Sequence, residues 1–539
     1  MRPVDLATEK SVFLRNATGL VRDFALIDAL ILAVGAMIGP TWVPLFVSEW
    51  ALFPGVNVPA SFVLIGIFAL ANGAYYVFIT AVMPRSGGGS YVPLSRLVSP
   101  ILGMGMTTIL VVAFLLDMGF IGNITWVSGV SPPLATYAAI TNNSGLATLA
   151  ANIGSQTWAF ALGTVMIILV GLIAIGGNRF IRMANKIAFL VGTLGMVLIV
   201  GVLATTNLSQ FQTAFNTFAG SNMYQNITAT AQAAGYNTNV NWLNPTFLSL
   251  PLSFFAIAGY AFNTYYGGEI RKVSKTMSIA VVGSIFFTGA FFSLIAALAQ
   301  NSFGTDFITS ASYLGSAGKW PLGPAPYVNT FVAMVNSNPI INTIIILSFI
   351  AWGYLLIINY YFISSRHFLA WSFDRSVPSF FGSVSDRLHS PVISLVICGI
   401  IGWFALIFFT YGPAAYVGAV NLTFFFVLAF LLDGLAGIVL WRRPSILDAA
   451  PSFAKRKVGG VPLISLLGAY SIIFMGYLLA ASLYLAFNNP GAIGTFSLAT
   501  GIAALVAFLI GAGSYLGMRS YYKNRGLDIS LAFKEIPPE

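Results

Sequence analysis

The sequence is a series of long apolar stretches separated by short polar connections, and this pattern predicts membrane helices. An α-helix needs about 20 apolar residues to cross a bilayer. Twelve stretches are long enough and are numbered here as spans 1 to 12: 24–52, 60–83, 101–128, 157–177, 185–206, 246–267, 277–300, 339–364, 391–411, 414–441, 461–487 and 493–518. They are too continuous for the alternating strands of an outer-membrane barrel. The pattern therefore predicts an all-α integral membrane protein.

Charged residues are few and unevenly placed. They make up 7% of the 539 residues, whereas about a quarter is usual in soluble proteins. With the N-terminus inside, every lysine and arginine except Lys319 falls in an inner connection or tail. The positive-inside rule then predicts a multi-pass plasma-membrane protein with both termini in the cytoplasm. The net charge of +10 follows from this topology, so we expect membrane lipid and no nucleic acid as partner.

The sequence contains few residues that could support metal or covalent chemistry. Its one cysteine, Cys398, lies in an apolar run, and its two histidines are His367 and His389. We therefore expect no metal site and no cofactor. The chain has no G-x-x-x-x-G-K-[ST] segment and no nucleophile–base pair at membrane depth. These absences argue against an ATP-driven pump and against an enzyme.

Spans 1 and 6 each carry helix-breaking residues near the middle of the membrane. Span 1 contains Gly35, Gly39 and Pro40. Proline removes an amide donor and each glycine weakens a helix by about 1 kcal/mol, so this helix should unwind. Unwound backbone at this depth is tolerated where it lines a cavity, and the following half-helix presents its positive end to an anion. Span 6 carries Phe255–Tyr260 at comparable depth, a pattern typical of an inverted repeat with its site between two discontinuous helices.

The predicted organisation follows from these spans. Its parts are a cytoplasmic tail (1–23), a first repeat of spans 1–5 (24–206), an extracellular loop (207–245), a second repeat of spans 6–10 (246–441), a cytoplasmic loop (442–460), spans 11 and 12 (461–518) and a cytoplasmic tail (519–539). The outer connections 207–245 and 301–338 are polar but nearly uncharged. We expect them to be ordered and to cover the outer face.

Four segments resemble motifs of the amino acid-polyamine-organocation (APC) superfamily, specifically its amino acid permeases. They are Gly35–Gly39 (G-x-x-I-G), Met83–Tyr91 (P-x-S-G-G-x-Y), Phe255–Tyr260 with Gly268–Lys272 (F-x-x-x-G-[FY] and E-x-[KR]), and Ser365–Pro378 with Ser390–Pro391 (S-R-x-x-x-A-x-x-x-D-x-x-x-P and [TS]-P). They occur in the family's order over residues 20–440. The resemblance implies a five-plus-five inverted repeat with discontinuous helices 1 and 6 and two extra C-terminal helices.

The resemblance also implies where a substrate binds. The implied residues are Met37, Ile38, Gly39, Phe255, Ala256, Ile257, Gly259 and Tyr260. Backbone around the first three would meet a carboxylate, and carbonyls around the next three would face an ammonium group. An aromatic ring near Tyr260 would gate the side-chain pocket. These roles agree with the polarity of helix ends, which favours an anion at an N-terminus.

This chain departs from the family pattern at several of these positions. Residues 40 and 41 are Pro40 and Thr41, where relatives have a small polar residue and glycine, so one amide is lost. Ala261 stands where many relatives have an acid. Proton-linked relatives carry a lysine in helix 5 at a position that aligns with Gly192, and Lys186 lies about a turn and a half nearer the inside. The coupling ion, H⁺ by preference or Na⁺, is therefore left open.

Acids at membrane depth are costly and are functional candidates. Asp117 in span 3 is the deepest, and we expect it to contact substrate or to titrate during transport. The alternative is a structural acid bonded to Asn123 or Thr125. Asp28 is expected to pair with an inner arginine or join a gate. Asp433 in span 10 is expected to be an inner anchor near Arg442.

Other polar and aromatic residues have simpler expected roles. Glu49 and Glu269 are expected at the membrane interfaces, and Arg366 and Asp374 as a topology charge and a gate partner in a cytoplasmic connection. His367 is expected to be solvated. Trp352 and Tyr354 in span 8 could flank a substrate, but packing is the simpler reading. These expectations can each be checked against the fold.

The sequence thus predicts a secondary active transporter that moves amino acids or related amines by alternating access. One alternative is a nucleobase or other organic-cation carrier on the same fold, which the loss of an amide at Pro40 favours. Another is a channel or sensor that does not transport, although the spans offer few polar groups for a pore and no soluble signalling domain is visible. The sequence leaves open the preferred substrate, uptake versus exchange, and the oligomeric state.

Overall fold

The computed structural model describes residues 20, 22–83, 89–237, 240–271, 273–413, 421–488 and 496–534. Within these ranges the protein is almost entirely helical. Some predicted features lie outside them: most of tail 1–23, residues 84–88 of the motif Met83–Tyr91, Lys272, the starts of spans 10 and 12, and residues 535–539.

The first part of the chain forms eight helices. They are α1 (Leu26–Gly35), α2 (Trp42–Leu52), α3 (Val58–Val82), α4 (Pro100–Ile124), α5 (Ser131–Ile140), α6 (Ser144–Gly154), α7 (Gln156–Ile175) and α8 (Asn178–Thr205). A helical turn at Tyr91–Pro93 and a π-helical segment at Leu94–Val98 precede α4, and a second π-helical segment joins α4 to α5. Side-chain caps begin several of these helices: Asn57 accepts a hydrogen bond from the Ala60 amide at the start of α3.

The remaining helices of the described part follow in chain order. They are α9 (Leu208–Ala219), α10 (Met223–Ala233), α11 (Leu243–Ile257), α12 (Val273–Phe303), α13 (Thr305–Ser316), α14 (Val328–Val335), α15 (Pro339–Phe373), α16 (Val392–Tyr411), α17 (Leu422–Leu431), α18 (Asp433–Val439), α19 (Pro444–Asp448), α20 (Leu463–Asn488) and α21 (Leu498–Lys523). A 3₁₀-helical segment, Ala258–Glu269, continues α11. Two short strands, β1 (Lys457–Val458) and β2 (Val461–Pro462), pair antiparallel.

Eleven helices or continuous helical stretches in the described part are long and apolar enough to cross a membrane. They correspond to predicted spans 2 to 12. Predicted span 1 is interrupted between Gly35 and Trp42, so α1 and α2 are each too short to cross a bilayer alone. The chain is therefore a multi-pass membrane protein whose described part is almost entirely helical, as the apolar pattern predicted.

The two ends of the helix bundle differ, and we name them for the groups they carry. The basic face is the end where α1 begins and α15 ends, and lysines and arginines from many connections lie there. The capped face is the opposite end, covered by α9, α10, α13 and α14. Helix α12 runs from one face to the other: it begins just after Arg271, and its last residue, Phe303, packs on Phe211 of α9.

Helix α15 continues about two and a half turns beyond the predicted end of span 8. Residues 365–373 are therefore helix and not a cytoplasmic connection. His367, expected to be solvated, is fully buried: its Nδ1 lies 2.9 Å from the Ile363 carbonyl oxygen and its ring packs on Tyr265. The polar residues of this segment suggested that the membrane span had already ended. Neighbouring elements nevertheless bury this part of the helix.

Candidate functional site

The two interrupted spans touch each other through their backbones. The first break comprises residues 36–41, and the second is the change from α-helix to 3₁₀-helix after Ile257. Gly259 lies against Ala36, and a Cβ atom at position 259 would overlap the Ala36 carbonyl group. Only glycine permits this approach. The sequence therefore brings the two breaks together, because the second break carries a residue without a side chain.

The first break leaves two amides without acceptors. The amides of Met37 and Ile38 both donate to the Val34 carbonyl, at 3.0 Å each. The amides of Gly39 and Thr41 donate no hydrogen bond to any described residue, and Pro40 has no amide. Free amides at the start of a helix favour an anion. Among the described residues, the amides left free in this break are therefore those of Gly39 and Thr41, whereas those of Met37 and Ile38 are occupied.

A small cavity lies where the breaks meet, with room for about one water molecule. Its lining comes from five spans: Ala36, Met37, Thr41, Asp117, Ile121, Phe255, Ala258, Gly259, Phe262, Leu356, Tyr360 and Phe426. Of the residues predicted from the sequence, Met37, Phe255, Gly259 and Asp117 are among them. We call it the substrate cavity, because the sequence predicted a substrate site at these two breaks.

The other predicted residues lie around this cavity without lining it. Gly39 packs behind Leu356, and a Cβ atom at position 39 would overlap the Leu356 side chain. Ile38, Ala256 and Ile257 are buried, outside the cavity lining. Tyr260, expected to gate the pocket, instead points towards α3, where its hydroxyl donates to Asn72 Oδ1 at 2.6 Å.

Among the described residues, Asp117 is the only acid that lines the substrate cavity. It is buried, and its Oδ2 accepts a hydrogen bond of 2.5 Å from the Tyr360 hydroxyl. Its Oδ1 has no hydrogen-bond partner in the described part of the chain. The structural partners considered from the sequence are engaged elsewhere: Asn123 donates to Thr410, and Thr125 to the Ile121 carbonyl. The free oxygen therefore remains available to a cation in the cavity.

A much larger cavity of about 460 Å³ extends from the substrate cavity to the capped face. Thr41 and Phe255 line both cavities, and the Phe255 side chain lies between them. We call this larger cavity the vestibule, and the described residues that line it include no aspartate, glutamate, lysine or arginine. Tyr327 lies near its mouth, 3.4 Å from the Ser128 hydroxyl. Burial raises the pKa of the Tyr327 phenol, although that contact lowers it in part, so the phenol stays protonated.

Two buried ion pairs join separate elements at the basic face. Arg366 binds Glu269 through Nε at 2.8 Å and Nη2 at 3.0 Å. Arg96 binds both oxygens of Asp374 at 2.6 Å, and the Tyr91 hydroxyl donates to the same carboxylate at 2.7 Å. Glu269 was expected at the membrane interface but is buried, because the extended α15 brings Arg366 against it.

Further ion pairs lie at the edge of the basic face. Asp23 contacts Arg182 at 2.7 Å and Arg271 at 2.8 Å. Asp28 pairs with Lys186 at 3.2 Å, a lysine and not the arginine expected from the sequence. The chain before α1 also forms a parallel bridge with the end of the 3₁₀-helical segment, between Phe24 and Ile270. This face is closed by charges supplied from several separate elements.

Two other buried acids have no basic partner within the described ranges. Glu49 was expected at the interface but is fully buried, because α11 packs over it: its Oε1 accepts a bond of 2.5 Å from Ser253. Asp433 was expected near Arg442. Its carboxylate instead accepts hydrogen bonds from Tyr76 and Ser90, since it points towards α3 and not along its own helix.

The remaining candidates serve packing. Trp352 is buried against Gly192, where a Cβ atom would lie 2.7 Å from the indole ring. Tyr354 donates to Asn185 Oδ1 at 2.8 Å. Neither lines the substrate cavity. Gly192, the position aligned with the family lysine, therefore provides space for an aromatic side chain.

Sequence reasoning missed several cavity-lining side chains. They are Ile121, Phe262, Leu356, Tyr360 and Phe426. Tyr360 could have been singled out as a hydroxyl in an apolar span. The other four carry no signal, because a buried membrane helix is apolar on every side and its periodicity does not identify the face that lines a cavity.

Comparison with known proteins agrees with this architecture. A model of the family described as amino acid permease matches residues 24–512. The solved structure of MhsT in complex with L-phenylalanine superposes with a TM-score of 0.55 and 16% sequence identity, over 86% of this chain and 99% of that chain. This likeness shows a shared fold. No curated protein matches the sequence at a significant level.

Proposed function

Because the chain belongs to the amino acid permease family, we propose that it carries amino acids or closely related amines across the plasma membrane by alternating access. A permease moves a solute without changing it, so the protein is a transporter and not an enzyme. The observation that carries the proposal is the substrate cavity between the two interrupted spans, with free amides at one side and a free carboxylate oxygen at another.

The two poles of an amino acid match the groups around this cavity. We infer that the carboxylate binds the free amides of Gly39 and Thr41 at the start of α2, where the helix dipole favours an anion. The ammonium group binds Asp117 Oδ1 and carbonyls around Phe255–Ile257. The surrounding aromatic and aliphatic side chains take up the substrate side chain. Because the cavity now has room for about one water molecule, Phe255 or Leu356 must move to admit a substrate.

The open vestibule and the closed basic face support alternating access. We propose that the basic face is cytoplasmic, because positively charged connections stay inside, and that the conformation described is outward-facing. Inward opening then requires separation of the Arg366–Glu269 and Arg96–Asp374 pairs. Twelve spans arranged as two inverted repeats of five, with two additional helices, form part of the same proposal, as does H⁺ as the coupling ion.

Thermal stability of the detergent-purified protein with a panel of amino acids, polyamines and nucleobases tests this function. A ligand at about 100 times its dissociation constant stabilises by about 2.7 kcal/mol. A selective upward shift with an amino acid is expected. Gly39→Leu should abolish this shift because its side chain enters the break. Gly201→Leu is the matched control, since position 201 faces open space.

The panel also separates the alternatives. A shift only with nucleobases or carboxyl-free amines would replace the proposal by an organic-cation carrier, which the absent amide of Pro40 would favour. Asp117→Asn should weaken binding of any cationic substrate, and unchanged affinity would remove Asp117 from the site. Uptake into proteoliposomes with an imposed pH or Na⁺ gradient then identifies the coupling ion. Flux that does not saturate with concentration would indicate a channel.

A further inference from the structure

Asp433 lies in a second small cavity, apart from the substrate cavity. This cavity has room for about one water molecule and is lined by α3, by residues 89–94, by Thr264 and by Asp433 at the start of α18. The Asp433 side chain is buried, and its Oδ1 has no hydrogen-bond partner among the residues that the structure describes. The proposed binding of an amino acid makes no use of this acid.

The groups that bind the Asp433 carboxyl are neutral hydroxyls. Tyr76 donates to Oδ2 at 2.9 Å and Ser90 at 2.5 Å, and Tyr75 donates to the main-chain carbonyl of Asp433. The Tyr265 hydroxyl lies 3.2 Å from that of Ser90. A charge buried in a membrane without a counter-ion is costly. A neutral carboxylic acid fits better: Oδ2 accepts these bonds, and an Oδ1–H group needs only one acceptor, which a water molecule can supply.

Ionisable groups on the surrounding elements do not provide that counter-ion. They are Tyr75 and Tyr76 on α3, Tyr91 and Arg96 before α4, Tyr260 and Tyr265 on the 3₁₀-helical segment, Tyr470 on α20, and Arg442 after α18. Arg96 is bound by Asp374, and Arg442 is exposed at the basic face. Within the described part of the chain Asp433 therefore has no basic partner.

One short segment links Asp433 to the closure of the basic face. Ser90 immediately precedes the turn Tyr91–Pro93, and Arg96 lies in the π-helical segment that follows. A movement that separates Arg96 from Asp374 would also withdraw Ser90 from Asp433. The same movement would admit water from the basic face to the carboxyl group.

We propose that Asp433 is a proton-binding site of the transport cycle, a carboxylic acid while the basic face is closed and a carboxylate once residues 90–98 have withdrawn. In this step the Oδ1–H bond breaks, its proton passes to water at the basic face, and the electron pair stays on the carboxylate. The inference rests on the proposed function and gives its coupling proton a site separate from Asp117.

A direct test needs no substrate. Infrared spectroscopy of the purified full-length protein detects the carbonyl stretch of protonated carboxyl groups. Asp433→Asn should remove one protonated-carboxyl component near neutral pH. Asp306→Asn, at an exposed position on the capped face, is the matched control and should remove none. A spectrum in which Asp433→Asn matches the control would overturn the proposal.

A transport test uses the substrate identified by the stability panel. One pH unit supports about tenfold accumulation per coupled proton. Asp433→Asn should lose this accumulation while it keeps substrate-induced stabilisation and exchange without a gradient. Accumulation equal to wild type overturns the proposal, and so does joint loss of stabilisation and exchange, which would show a structural role.

A more conservative variant tests the site even if Asp433→Asn does not fold. Ser90→Ala removes one donor to Asp433 and should retain accumulation with a shifted dependence on internal pH. An unshifted profile would contradict the proposed site. If the wild-type protein binds no amino acid, the proposed function fails, but the infrared test of Asp433 still stands.

Discussion

The two faces of the bundle are closed by different interactions. At the basic face, carboxylates on four elements meet arginines and a lysine on others. At the capped face, rings pack together: Phe211 lies 4.5 Å from Phe303 and 5.3 Å from Phe307, and Tyr224 stacks on Phe307 at 4.5 Å, all between ring centroids. No ion pair is seen among the described residues of that cap.

This difference indicates which face can open at low cost. An ion pair that separates into water recovers hydration for both charges, so its loss is partly compensated. A cluster of rings gains nothing from water and resists separation. We therefore expect the aromatic contacts of the capped face to resist separation more than the ion pairs of the basic face. Three variants test this comparison, in order of decreasing effect.

The largest effect is expected from Arg366→Leu, which removes the arginine from the buried Glu269 carboxylate and leaves it a 3.4 Å contact with the Asn178 amide. Removal of one member of a buried pair costs about 3–5 kcal/mol. Chemical unfolding in detergent should show a loss of this order in the free energy of unfolding. The double variant Glu269→Leu/Arg366→Leu should recover much of it. A double variant less stable than the single one would show that the unpaired charge of Glu269 does not cause the loss of stability.

An intermediate effect is expected at the capped face from Tyr236→Phe. This change removes the hydroxyl that donates to the Trp50 carbonyl, and a buried acceptor left unsatisfied costs about 1–2 kcal/mol. The same unfolding measurement should show this loss equally at low and high salt. Tyr484→Phe, at a half-exposed position on α20, should have no effect. Strong salt dependence at Tyr236 would contradict the comparison between the faces.

The smallest effect is expected from Asp23→Asn, because its partners Arg182 and Arg271 are partly exposed. Pairs of this kind contribute at most about 1 kcal/mol. The difference from wild type should disappear in about 1 M NaCl, where charges are screened beyond about 3 Å. A difference that persists in high salt would mean that Asp23 acts through packing.

The large-scale fold was predictable because bilayer thickness sets the length of each span. The first interruption could be predicted from Gly35, Gly39 and Pro40, since these residue types destabilise a helix wherever they occur. The partners of Asp28, Asp433 and Arg366 were not predictable. Each depends on which helices become neighbours, and one sequence does not state that.

The candidate site was predictable only in part, for a related reason. Glycine positions indicate where backbones approach, so Gly259 and the break after Gly35 could be found. The orientation of Tyr260 towards Asn72 depends on the rotation of a helix that is apolar on all sides. The free amides also depend on local geometry, because the family pattern suggested Met37, Ile38 and Gly39, and the turn at Val34 occupies the first two.

The backbone contact between Ala36 and Gly259 has an evolutionary consequence. The amides of Gly39 and Thr41 belong to the main chain, so only proline can remove them by substitution. Side chains around the substrate cavity, such as Phe262, Leu356 and Phe426, can diverge without disturbing that contact or those amides. A fold built in this way can acquire a new specificity by a few exchanges in its lining while its architecture is inherited unchanged.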